Sequence, residues 1–156
     1  MMRRLAMLLL AAAGLVLGGC VGPANAPPFS SVSIAPVPAD LARIYFYREW
    51  EPYDSLSRPW IYLNGEPAAI SEPGGVSYRD VRPGEYGIGV ESQGTYWGQF
   101  KVVLLRPGDS VFVKIESLWN WERGLNYTRD TFTVNLIWPP QAWAEMANLR
   151  YTPGPP

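Results

Sequence analysis

From Leu41 onward the chain is a succession of short apolar or alternating runs: Leu41 to Tyr47, Trp60 to Leu63, Ala68 to Ile70, Val76 to Val81, Tyr86 to Glu91, Gly98 to Leu105, Ser110 to Leu118 and Thr131 to Trp138. Each is rich in Val, Ile, Tyr, Phe or Trp, side chains that suit a pleated, half-buried surface, so each is expected as a strand. The breaks carry turn chemistry. Asn64-Gly65 suits a type I′ hairpin, Pro73-Gly74-Gly75 a wider turn, and the near-copies Arg82-Pro83-Gly84-Glu85 and Arg106-Pro107-Gly108-Asp109 suit type II turns. After Trp138, Pro139-Pro140 can open a helix from Gln141 to about Leu149, with Trp143, Met146 and Ala147 facing the core and the helix capping one end of the fold. The pattern predicts an all-β fold, a small antiparallel β-sandwich of about seven to eight strands with one short C-terminal helix.

Alternation also predicts which faces are covered. Phe132, Val134, Leu136 and Trp138 share one side of the last strand and Thr131, Thr133 and Asn135 the other, so one wet face is expected there. Leu41 to Tyr47 places Ile44 and Phe46 opposite Tyr45 and Tyr47, the pattern of a strand covered on both sides. In Tyr86-Gly87-Ile88-Gly89-Val90 the glycines leave a bare face that invites a bulky neighbour. A dinucleotide loop does not fit, because no third glycine and no helix follow.

The first residues follow a different pattern. Met1 to Arg4 is a short cationic start, Leu5 to Leu17 is apolar or small, and Leu17-Gly18-Gly19-Cys20 closes the run. That is the layout of a secretory signal, too short for a comfortable permanent span. Those last four residues resemble, position by position, the lipobox of bacterial lipoproteins. The resemblance implies that residues 1–19 are removed and that Cys20 becomes the mature N-terminus, carrying diacylglycerol and an amide-linked fatty acid such as palmitate. Several acyl chains make such attachment effectively permanent. Under the sorting rule of that group, Val21 in place of Asp implies the outer membrane, inner leaflet, facing the periplasm. The Pro-rich stretch over 20–39, with Pro23, Pro27, Pro28, Pro36 and Pro38, is expected as a tether, leaving the domain at 40–151 and a disordered tail at 152–156.

Composition removes several functions. Thirteen basic against fourteen acidic residues give no electrostatic footprint for nucleic acid, and the absence of histidine removes the commonest general base and metal ligand. The sequence implies no cofactor, no metal and no catalytic residue.

Ala42-Arg43-Ile44-Tyr45-x-Tyr47-Arg48, Ile61-Tyr62-Leu63-Asn64-Gly65 and Tyr78-x-x-Val81-x-Pro83-Gly84-x-Tyr86 together resemble an uncharacterised bacterial family known as domain of unknown function 2846. The resemblance covers roughly Leu41 to Leu118. It implies a small envelope lipoprotein with a PEGA-like β-sandwich, and it brings no activity with it.

Aromatic residues in predicted loops are the candidate ligand-binding groups: Trp50 and Tyr53 after the first strand, Trp119 and Trp121 before the last. Such rings stack on sugar faces, although they also plug the open ends of small sandwiches. Glu49, Glu51 and Asp54, with Glu116, Glu122 and Asp130, permit a two-carboxylate glycosidase on paper, but solvated loop charges explain them equally well. Arg82 and Arg106 are phosphate or carboxylate contacts if their turns meet at one end, or surface ion pairs if not. Unpaired edge strands offer a third role, acceptance of a strand from a partner or a second copy. The expected function is therefore a non-enzymatic envelope lipoprotein that binds or scaffolds a protein or glycan partner; the alternative is a glycan-binding, or less readily glycan-cleaving, module that uses the aromatic loops.

Overall fold

β1 (Ala42–Tyr47) is buried along its whole length, as its double-sided apolar pattern requires. In this computed structural model, which describes residues 25–50, 56–118 and 130–153, β1 lies at the centre of a five-stranded sheet. It pairs antiparallel with β4 (Gly75–Val81) and parallel with β7 (Ser110–Ser117); β7 continues antiparallel to β8 (Phe132–Ile137), and β4 is flanked by the two-residue β9 (Arg150–Tyr151). The second sheet is antiparallel, in the order β3 (Glu66–Ile70), β2 (Trp60–Leu63), β5 (Gly84–Val90) and β6 (Phe100–Leu105). The fold is thus the small β-sandwich expected, with one α-helix among the described residues, α1 (Pro139–Met146), near the C-terminal end.

The inner core lies between the sheets. Ile44 and Phe46 of β1 meet Ile61 and Leu63 of β2, Ile88 of β5, Val113 and Ile115 of β7, and Phe132 and Val134 of β8. The Arg79 guanidinium clasps one side of the sandwich, donating from β4 to the Ala68 carbonyl of β3 at 2.7 Å. On the other side the Val134 amide donates to the Gly98 carbonyl at 2.7 Å.

A second core covers the outer face of the five-stranded sheet. Tyr45, Tyr47, Val76 and Phe112 lie beneath Ala142 and Met146 of α1 and beneath Phe29. The helix therefore lies on the sheet and does not cap an end of the sandwich. Of its expected stripe Met146 is fully buried, whereas Trp143 is half-exposed and packs edge-on against both Tyr45 and Phe112, with ring centroids 5.2 Å apart.

Phe29 also corrects the boundary of the tether. The chain already packs at Ala26: the Phe29 amide donates to Leu149 O at 2.7 Å, the Tyr151 amide to Pro27 O at 2.9 Å, and Phe29 stacks on Trp143 with ring centroids 6.0 Å apart. Ala26 to Ala35 is a strap, placed by a lone aromatic anchor and backbone bonds that leave no periodic trace. At the other end Thr152 is still held, its amide donating to Val76 O, so residue 152 belongs to the packed domain and not to the tail expected from that position.

The turns divide. Asn64 and Gly65 have φ of 51° and 85°, the left-handed pair a type I′ hairpin needs. Arg106 to Asp109 closes with an amide bond from Asp109 to Arg106 O at 3.1 Å and Gly108 at φ 81°, in keeping with type II. Its near-copy at Arg82 to Glu85 is a corner between sheets, where the Tyr86 hydroxyl donates back to Arg82 O at 2.8 Å in the manner of a tyrosine corner. The bare face of Gly87 is covered as expected: a Cβ there would come within 2.5 Å of the Phe100 ring. The wet face expected on β8 is closed at Thr131 and Thr133, because the segment before β6 wraps that edge. Ser92 Oγ accepts from the Phe132 amide, and Gly98 packs against Thr133.

Candidate functional site

The turn that leaves β1 is anchored by an arginine and presents a tryptophan. Arg48 is fully buried, its Nη1 donating to Ser57 O at 2.9 Å and its guanidinium lying 4.9 Å over the Phe132 ring. Two residues on, Trp50 faces outward and is 59% exposed. Its stem rests on Gly74, which has φ 70° and where a Cβ would come within 3.2 Å of the Trp50 Cβ. Glycine at this turn thus serves both the backbone geometry and the close approach of the indole.

Trp50 forms one wall of an open groove of about 580 Å³. Glu72, Pro73 and Gly74, before β4, form its floor, Arg58 lies across it, and Asn148 to Arg150, after α1, form the far wall. The two halves are joined by the Arg150 amide donating to Gly74 O at 2.8 Å. Arg58 Nε meets Glu72 Oε2 at 2.9 Å, and Arg150 Nη1 donates to Ala26 O at 3.2 Å, so the strap braces the same wall. An exposed indole sharing one groove with a guanidinium–carboxylate ion pair and an exposed amide provides an apolar platform beside polar groups. A sugar ring, apolar on one face and hydroxylated at its rim, has the complementary chemistry.

Two further polar clusters lie under the strap and helix. Arg43, 2% exposed, forks onto Asp80 at 2.6 and 2.9 Å, donates to Ala35 O at 2.7 Å and lies 4.1 Å over the Tyr78 ring. The bonded Asp80 carboxylate pushes the guanidinium pKa above its ordinary value. Lys114 meets Glu49, Glu145 at 3.2 Å and Glu116 at 3.7 Å, while the Tyr47 hydroxyl donates to Glu145 at 2.6 Å. Burial alone favours neutral Lys114, but Glu49 and Glu145 outweigh it and raise its pKa. Burial likewise opposes the charged Glu145, yet bonds from Tyr47, Gln141 and Lys114 hold its pKa below the carboxylate value. Tyr47 is raised, by burial first and by Glu145 second. These shifts fix a protonated amine and phenol beside an ionised carboxylate, the reverse of an activated lysine or tyrosine nucleophile or of a carboxylic general acid.

Of the residues singled out in the sequence, Trp50 is exposed at the groove. Cys20, Tyr53, Trp119 and Trp121, with Glu51, Asp54 and Glu122, lie outside the described residues. Glu49 and Glu116 come together, but on Lys114. Arg82 and Arg106 sit at the same end of the molecule, because Val81 and Ser110 flank the start of β1, and both are exposed. The far wall of the groove had no sequence signal, since Asn148 and Arg150 join Trp50 only through the β4–β9 pairing. No protein-family model matches the chain, and no curated protein matches its sequence.

Proposed function

We propose that the chain is a lipoprotein of the bacterial envelope, of the kind its lipobox and its family resemblance imply, whose β-sandwich is a non-enzymatic module that holds a glycan in the Trp50 groove. The observation that carries the ligand class is the exposed Trp50 indole set against Arg58, Glu72 and Asn148 in an open groove. Lipidation rests on Leu17-Gly18-Gly19-Cys20, and residence in the outer membrane, inner leaflet, on Val21. The partners are thus the membrane, through Cys20, and a periplasmic glycan. Only five residues separate Cys20 from packed Ala26, a reach on the order of 20 Å, so the domain works close to the headgroups.

Two experiments test this reading. Cells fed labelled palmitate should label the wild-type chain and not Cys20→Ser; label on both, or on neither, overturns the anchor. Insoluble peptidoglycan should retain the protein on sedimentation, and Trp50→Ala should lower retention about tenfold, the loss expected of one stacking platform. Equal retention of the variant, or none of the wild type on peptidoglycan or on lipopolysaccharide sugars, removes the glycan from the account.

A further inference from the structure

Among the described residues, three of the four sheet edges are blunted. In the four-stranded sheet, β3 carries exposed Glu66 and Pro67 and a register shift against β2. In the other sheet β9 is two residues long, and the backbone of β8 already donates to Gly98. β6, the remaining edge, has six residues with no proline and no bulge, and its outer face is Phe100, Val102 and Leu104, each more than half exposed. Such an edge is a template for another strand unless charge, proline or irregularity guards it.

The direction of its backbone groups follows from the pairing. The Val90 amide donates to Gln99 O, which places residues 99, 101, 103 and 105 in the bonded phase toward β5. Phe100, Val102 and Leu104 are in phase with Gly98, whose carbonyl points away from β5 and accepts from Val134. The three residues with exposed apolar side chains thus also aim their N–H and C=O groups at the open edge.

We propose that β6 is a self-association edge, on which two copies of this chain pair antiparallel about a two-fold axis at Val102. In that register Val102 faces Val102 of the second copy and Phe100 faces Leu104. All three are bonded-phase positions, so both the apolar stripe and the outward backbone groups are matched without remainder. The only charge on the strand, Lys101, falls opposite Val103, so no like charges meet. The result is a continuous eight-stranded sheet.

The test is disulfide trapping of the full chain in detergent micelles, Cys20 being the single native cysteine. Under mild oxidation Val102→Cys should give a linked dimer at least fivefold above both wild type and Glu66→Cys. A mixture of Phe100→Cys and Leu104→Cys should link where either alone does so less. Wild type should sediment as a dimer, and Val102→Lys, with an unchanged circular dichroism spectrum and melting point, as a monomer. Val102→Cys linking no more than Glu66→Cys overturns the proposal, as does a monomeric wild type, a dimer that survives Val102→Lys, or a β6 edge occupied instead by another envelope protein.

Discussion

Lys114, with its side chain 11% exposed, shares its ammonium among three glutamates, and this cluster makes stability depend on pH at both extremes. Glu145 has a folded pKa below the ordinary 4.5, so its contribution is present above that value and is lost as pH falls through the folded one. Lys114 has a folded pKa above 10.5, so its contribution is complete below 10.5 and is lost as pH rises through the folded value. Tyr47 acts in the same direction: its neutral phenol is favoured in the folded state, and stability falls above its ordinary 10.0. Urea midpoints should therefore be flat from about pH 5 to 9 and fall beyond about pH 10. Lys114→Met should cost about 2 kcal/mol at neutral pH, the partly exposed glutamates moderating the loss. Acidification toward pH 5 should then stabilise that variant, because the glutamates it leaves together repel; a variant with the wild-type profile contradicts the assignment. Arg43→Ala strands Asp80 and releases Ala35, for an expected loss of about 3 kcal/mol by urea denaturation.

The strap and α1 form a layer that exists only as tertiary structure. Phe29→Ala should cost about 3 kcal/mol. It should also shift Trp143 emission to the red, since the two rings stack and Phe29 shields the indole; an unchanged midpoint and spectrum would mean that the strap contributes nothing. The strands were legible because alternation and turn residues are local: the eight expected runs coincide with β1 to β8 within a few residues, and Asn64-Gly65 forms the turn its φ preferences demand. The strap was not, because Phe29 and Ile34 stand alone among prolines and are recruited by a sheet face whose aromatic cover lies elsewhere in the chain. Nor was the position of α1, since a Met–Trp stripe states that a face is buried and not against which surface. Arg43 and Asp80, 37 positions apart, meet only because β1 pairs with β4 in that register. Trp50 was recognisable as an aromatic just past a strand. Its groove was not, because Gly74 and Arg150 reach it through the β4–β9 edge.

At the scale of the molecule, one face of the five-stranded sheet is sealed by helix and strap, while the Trp50 groove opens beside the end of that seal, where Arg150 holds the strap at Ala26. Under the proposed lipidation of Cys20, the strap that braces the groove would begin only a few residues from the membrane anchor. The strap also links binding to stability: a ligand bridging Trp50 and Arg150 should raise the melting temperature in wild type and not in Trp50→Ala. Trp50 as a glycan platform is tested by titrating the intrinsic fluorescence of the full chain in detergent with soluble peptidoglycan fragments, alongside Trp50→Ala and the exposed Trp97→Phe. A saturable change is expected at millimolar ligand or below in wild type and Trp97→Phe, and none in Trp50→Ala. A saturable change that survives in Trp50→Ala, or no change in wild type up to millimolar ligand, contradicts it.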